Sequence, residues 1–382
     1  MIHITDKHQC SGCTACSHVC AHQAIHMVAD SAGFRYPIVD MQSCTQCGLC
    51  DKVCQFSPDY HRSTTLPVPR AFAARHRDMS EIMKSRSGAV FSAISDLILQ
   101  QGGVVYGAVF GPDFTVRHAR ATTAEQRDKM RGSKYVESDI SGIFPQVKKD
   151  LHDGLPVLFT GTPCQVAGLS AYIPSNQKGN LWLVDIICSG VPSPRLWGEH
   201  IQWLSRLHDT PLQSINCRDK VSFGWKAMRE TYVLIGDQQI HTTPYLFYQS
   251  MFFRPSCSQC PFTNTRRVGD LTLGDYWGWE RTDPHFNADD KGCSLVICNT
   301  EKGLQLFNSA TPKLTVLSAP LSDIIQNRLR TPTPEHPQRS AFLQYYQAHG
   351  YEHALRHFGF IGWRRKVANL KKRILRRLGI SF

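Results

Sequence analysis

No stretch of this 382-residue chain comes near 18 consecutive apolar residues, so no segment is expected to span a bilayer. Met1 to Gln9 holds no apolar core of signal-peptide length. Neither G-x-G-x-x-G nor a G-x-x-x-x-G-K followed by Ser or Thr occurs, which leaves a classical dinucleotide-binding half or a P-loop without support. With nothing to mark the chain for export, a reduced cytoplasmic setting is expected, where clustered thiols mean metal or redox work rather than disulfides. A 42% hydrophobic and 19% charged composition is ordinary for a globular protein of two or three domains.

Acidic side chains are short, 31 against 43 basic ones, but the shortage is local. Residues 363–382 carry eight basic side chains (Arg364, Arg365, Lys366, Lys371, Lys372, Arg373, Arg376, Arg377) and no acidic one, leaving about +4 over the rest. There Trp363, Val367, Leu370, Ile374 and Leu378 recur at three- and four-residue steps. The tail is expected to be a basic amphipathic helix, suited to the inner face of an anionic membrane, to an acidic partner, or to docking on the body. No recognition fold accompanies it, so nucleic acid is not an expected partner.

Cysteine, by contrast, is plentiful: fifteen residues, eight of them between Cys10 and Cys54. Cys10, Cys13, Cys16, Cys20 and, 34 residues later, Cys44, Cys47, Cys50, Cys54 both read C-x2-C-x2-C-x3-C. In that run three thiolates wrap one iron-sulfur cube and the fourth reaches the cube of the other run. Cys10, Cys13, Cys16 and Cys54 should therefore hold one 4Fe-4S cluster, and Cys44, Cys47, Cys50 and Cys20 the other. A pair of structural zinc sites would need only two C-x2-C pairs per site and leaves the recurring third and fourth cysteines without a reason. Proline usually follows the fourth cysteine; here Ala21 and Gln55 stand instead.

Between the runs, Ala24 to Val28 and Phe34 to Ile38 read as a strand pair turned through Asp30 to Gly33. His61 to Pro69 reads as a linker, so a new domain should begin near Arg70. A helix is expected over Ala89 to Gln101, opened by Ser87 and Gly88 and stopped by Gly102 and Gly103. Val104 to Phe110, Leu155 to Thr160 and Leu181 to Cys188 are short continuous apolar runs that fit strands buried on both faces of a sheet. Cys164 follows the second and Cys188 ends the third, where open α/β sheets place their ligands. With Cys257 and Cys260 they make a complete ligand set for a third cluster. Lone buried cysteines are, however, usually small core residues, and a single C-x2-C is ambiguous. Cys217, Cys293 and Cys298 are assigned to the core.

Several stretches occur together: Ser85-Arg86-Ser87-Gly88-Ala89, Arg131 to Tyr135, Phe159 to Gln165, Cys188 to Pro194, Arg254 to Cys260 and Gly269 to Gly278. With the cysteine runs, and over roughly residues 1–305, the chain resembles the coenzyme F420 hydrogenase/dehydrogenase beta-subunit family, in the bacterial form with an N-terminal dicluster ferredoxin domain. The resemblance implies an iron-sulfur flavoprotein that binds FAD beside a cluster, with Cys164, Cys188, Cys257 and Cys260 as the ligands of that cluster. It departs at Ala89, where a second glycine is common, and at Ser189, where many relatives have His.

On this reading the fold is α+β/α/β: a two-cluster ferredoxin-like domain over 1–60, an α/β FAD and Fe-S domain over 70–330, and the tail over 363–382. Ser85, Arg86, Ser87 and Gly88 open a helix whose free N-H groups favour a phosphate. Gly132, Ser133, Lys134 and Tyr135 add a hydroxyl and a point cation. Lys134, Tyr135 and Asp275 are the candidates for catalysis by location. An external donor, a protein or a reduced coenzyme, would supply single electrons to the clusters. FAD would pair them for a small-molecule acceptor, a deazaflavin coenzyme or an envelope precursor. The rival from another class is a non-catalytic electron-transfer subunit serving a partner enzyme.

Overall fold

The computed structural model describes residues 1–58, 60 and 65–362. The basic tail lies outside the described residues, and so do residues 61–64 of the expected linker.

The first segment is built on strands β1 (Ile25–Ala29) and β2 (Arg35–Val39), an antiparallel pair in which Ile25 faces Val39. Asp30 closes the turn, its carboxylate accepting from the amides of Ala32 and Phe34 at 3.0 Å each. Each cysteine run ends in a short helix, Ala15–Val19 and Leu49–Lys52. Both helices are entered through a left-handed residue, Thr14 (φ 62°) and Gly48 (φ 73°), so the two copies repeat in backbone as well as spacing.

The second segment begins at Arg70, where β3 (Arg70–His76) starts. The remaining strands are β4 (Val104–Phe110), β5 (Val116–Ala121), β6 (Val157–Gly161), β7 (Leu181–Ile186), β8 (Leu212–Asn216), β9 (Glu230–Leu234), β10 (Gln239–Thr242), β11 (Leu271–Asp275), β12 (Ser294–Cys298) and β13 (Leu314–Ala319). Eight of them form one sheet in the order β13-β3-β12-β11-β7-β6-β4-β5, and β10-β9-β8 form a small antiparallel one. Within the large sheet β4, β6, β7 and β11 run parallel, and antiparallel strands complete both edges.

The apolar runs explain the parallel centre, because alternate residues of one strand feed opposite cores. Val157 and Phe159 pack with helices Ile143–His152 and Pro163–Tyr172, while Leu158 packs with helix Val90–Gln100 and, from the far end of the chain, helix Glu301–Ala310. A strand with apolar residues at every position is buried on both faces. Ala15 and Val53 of the first segment join the former core, so the ferredoxin-like segment docks on that face. The two approach closely at Gly168, where a methyl group would lie 2.9 Å from both Cβ and Sγ of Cys13.

The expected helix over Ala89 to Gln101 is one residue shorter at each end. At its start Ala89 is left-handed (φ 63°), a conformation that glycine adopts freely and alanine does not. Gly88 before it has no room for a side chain, since a Cβ would strike the carbonyl oxygen of Ala74. Ala89→Gly should relieve a left-handed cost of about 1–2 kcal/mol, less about 0.4–1 kcal/mol of added unfolded-state entropy. The expected result is a melting temperature raised by about 1–3 °C; a lowered one would show that the Ala89 methyl group contributes more than its backbone conformation costs.

Candidate functional site

Spacing predicts which thiols converge, and the fold brings them together in three cavities. Cys10, Cys13, Cys16 and Cys54 line one, with Ile4, Met27 and Phe56 among its walls. Cys20, Cys44, Cys47 and Cys50 line another, so each run contributes three thiols to one cavity and a fourth to the other. The first quartet is enclosed: burial, and then the neighbouring Cys13, Cys10 and Cys54, push the Cys16 thiol well above its ordinary value. Burial likewise takes Cys54 to about 11, against the pull of the Phe56 and Ser57 amides. In the second quartet the Ile2 amide donates to Cys50 Sγ at 3.2 Å, while Cys47 is exposed. Amide donors aimed at sulfur in an apolar cavity suit thiolates held by a cation-rich core, which supplies the charge that burial alone disfavours. Among the described residues no three His, Cys, Asp or Glu side chains draw together tightly enough to hold a single ion; the thiols ring cavities instead.

The third cavity, of about 40 Å³, is lined by Cys164, Cys188, Cys257 and Cys260. The parallel register of β6 and β7, with Thr160 beside Val184, carries Cys164 and Cys188 to the same carboxyl edge of the sheet. Cys257 and Cys260 arrive from the turn Pro255–Gln259. Burial raises the thiols of Cys164, Cys188 and Cys257, that of Cys188 to about 11, and neighbouring cysteines add to the effect at Cys164 and Cys257. At the floor Arg267, which lines the cavity, pairs with Asp185 at 2.8 Å, and both are almost fully buried.

Two of the cavities share a wall. Ser11, Gln55 and Phe56 line both the Cys10 cavity and the Cys164 cavity. Gln55, standing where proline usually follows the fourth cysteine, donates to Ser11 Oγ at 2.6 Å and to the Cys164 carbonyl at 3.2 Å. The sequence departure thus ties the first segment to the start of the helix that carries Cys164.

The stretches expected to hold a flavin also meet. β11 runs parallel to β7, with Leu273 beside Ile186, so Asp275 ends its strand next to the Cys188 loop. The Asp275 carboxylate lies 3.7 Å from both Arg86 and Arg218 and accepts from Trp225 Nε1 at 3.2 Å. Arg218 donates to the Tyr135 hydroxyl at 3.0 Å, and Trp225 stacks on Trp277 at 4.5 Å. Arg86 keeps Nε and Nη1, and Arg218 keeps Nε, buried without a hydrogen-bond partner. Orphaned guanidinium donors around one carboxylate fit an anionic group such as a flavin phosphate.

The other expected phosphate donors have partners inside the protein. Ser87 Oγ donates to the Cys293 carbonyl at 2.6 Å, and the Gly88 amide to Ser294 Oγ at 2.9 Å. Ser85 caps the preceding helix, with its amide on the Ile82 carbonyl. The Lys134 ammonium turns onto the carbonyls of Met130, Arg131 and Gly132, and burial pulls it down to about 8. Gly132 (φ 79°) provides the bend, and the Ser133 hydroxyl interacts with Tyr135. Arg86 therefore carries the anion-binding capacity of its segment, and Lys134 holds its own loop together. Arg218, Trp225 and Lys220 carry no sequence signal. Lys220, pulled down to about 7 by burial and then by Arg86, donates to the carbonyls of Ile82, Ser87 and Lys291. Cys217, Cys293 and Cys298 are core residues, as expected.

Residues 155–323 match the family model for the carboxy-terminal part of the coenzyme F420 hydrogenase/dehydrogenase beta subunit, and residues 9–57 match that of the 4Fe-4S dicluster domain. No curated protein matches the chain. Among solved structures it is similar to a chain of the F420-reducing NiFe hydrogenase complex from Methanosarcina barkeri, at 15% identity, over 80% of this chain and 96% of that one, with a TM-score of 0.45.

Gln55→Ala should loosen the shared wall by about 1–2 kcal/mol, the worth of two hydrogen bonds partly exposed to water. Hydrogen exchange should then quicken at residues 10–16 and 162–168 and stay unchanged at 25–39. Equal acceleration in all three stretches would mean that Gln55 supports the whole first segment and not the wall.

Proposed function

We propose, from the premise that this is an F420 hydrogenase/dehydrogenase beta-subunit-like protein with an N-terminal 4Fe-4S dicluster domain, that it is an iron-sulfur flavoprotein oxidoreductase. It passes electrons from an external donor to a small-molecule acceptor. The carrying observation is the order of sites: the Cys20, Cys44, Cys47, Cys50 cavity with its exposed Cys47, then the Cys10 cavity, then the Cys164 cavity across a shared wall, then the cluster of Arg86, Arg218 and Asp275.

Each of the three cysteine quartets would hold one 4Fe-4S cluster. Arg86 and Arg218 would bind the phosphate of FAD, with Asp275 fixing both guanidinium planes. Clusters move one electron at a time, and a flavin supplies the conversion to two-electron chemistry. The chain's own part is to keep the thiols apart from water, to align the cavities, and to hold a cofactor edge near Asp275 and the Tyr135 hydroxyl. The indole faces of Trp225 and Trp277 would exclude solvent from that edge.

Protein purified without oxygen should contain roughly twelve irons, four for each of three cubes, and acid-releasable FAD. Cys164→Ser with Cys257→Ser should remove about a third of the iron and leave the N-terminal share. Arg86→Gln should lower flavin content at least several-fold with iron unchanged. Iron in full with no flavin would instead support a non-catalytic electron-transfer subunit, and zinc without iron would overturn both.

A further inference from the structure

We infer that the side-chain amide of Gln55 is the bridge by which an electron crosses between the Cys10 quartet and the Cys164 quartet. The inference rests on the reading of both quartets as cluster sites and assigns the step between them to one residue.

Gln55 follows Cys54 directly in the chain, is 7% exposed, and stands in the walls of both cavities. Its Nε2 donates to two groups. One is Oγ of Ser11, the residue after Cys10, at 2.6 Å, and the other is the carbonyl of Cys164 itself, at 3.2 Å. Each partner is thus a residue of a quartet or its neighbour in the chain. From Cys54 to Cys164 the connection is a run of covalent bonds interrupted by a single hydrogen bond. The fit is not that of a fastening alone, because Gln55 Oε1 is buried with no partner, a cost set against the two bonds.

Other routes across the wall are less direct. Cys13 packs against Gly168, in the helix that carries Cys164, without a bond to it. Phe56 lines both cavities but offers only its ring. A bonded route from the Cys10 carbonyl runs through the whole Arg254 side chain and then a second hydrogen bond, from the Cys257 amide to the Arg254 carbonyl at 3.0 Å. A tunnelling electron loses amplitude faster across a gap between unbonded atoms than along bonds, and every further gap adds to the loss. The Gln55 route has the fewest gaps.

One electron leaves one quartet and arrives at the other, so that one side is oxidised and the other reduced. No covalent bond forms or breaks, and no proton has to move. The amide acts by its position between the two ends.

Pulse radiolysis of the anaerobic full-length protein delivers single electrons from outside, and rapid-freeze EPR follows their redistribution between the two clusters. Gln55→Met keeps the length of the side chain and removes its donor. Ser11→Ala removes the other bond of the same amide and keeps the one to Cys164. Both variants should quicken hydrogen exchange at residues 10–16, since each loses hydrogen bonding in the wall. Gln55→Met should slow the redistribution several-fold at full iron content and unchanged potentials, whereas Ser11→Ala should slow it far less. An unchanged rate in Gln55→Met overturns the inference and passes the crossing to Phe56 or to the contact at Gly168. Equal slowing in the two variants overturns it as well, since a wall fastening would be weakened by the loss of either bond. Should Gln55→Met fail to assemble, Gln55→Leu decides in its place. Wild-type protein lacking the iron of the Cys164 quartet would sink the three-cluster reading itself, and the inference with it.

Discussion

The N-terminal segment is held on the α/β body through a buried guanidinium, that of Arg254, together with the Gln55 hydrogen bonds and the core contacts of Ala15 and Val53. Arg254 precedes the turn that carries Cys257, yet three of its donors reach Cys10, Arg35 and Glu137. A buried cation is tolerated only when its N-H groups are matched and its charge is paired, and here both conditions are met by groups from different segments. Gly12 and Gly168 make the fit possible from either side, one by yielding space to the arginine and the other by yielding it to Cys13. A side chain at either glycine would separate surfaces that the cavities require to be close.

Strand β11 does the corresponding work inside the body. Its parallel pairing with β7 sets Asp275 beside the Cys188 loop, and its antiparallel pairing with β12 sets Asp275 opposite Ser294. Ser294 in turn holds the Gly88 amide, and Cys293 holds Ser87, so the loop bearing Arg86 is fixed to the same strand end. A wholly parallel sheet would lack the returning strand that does this. The change of strand direction is thus what places a cationic cluster next to a thiol cavity.

Much of this was legible from residue spacing. The two C-x2-C-x2-C-x3-C runs specify their own exchange of fourth ligands, because three thiols one turn apart exhaust what a short loop can present to one centre. The strands at Val104, Val157 and Leu181 were legible because short continuous apolar runs suit a strand covered on both faces. Ser294, Gln55, Arg218 and Trp225 were not legible, because each acts through a partner 44 to 206 residues away. Periodicity carries no information about such pairs. Lys134 and Ser87 show the converse: residues whose chemistry suits a phosphate are spent on nearby carbonyls once the backbone bends. The antiparallel flanks were likewise hidden, since an edge strand such as β13, buried only at Leu314 and Ala319, looks like a loop in a single sequence.

Of the twelve thiols in the three quartets, Cys47 is exposed, Cys10 and Cys50 are buried and the other nine are intermediate, with Gln55 and Phe56 of the docked first segment in the wall of the Cys164 cavity. Dissolved oxygen and chelators therefore meet the outermost thiols first. Ageing of the protein in air should begin at its far end and advance inward, so that a partly corroded preparation keeps its innermost chemistry while losing its connection to the outside.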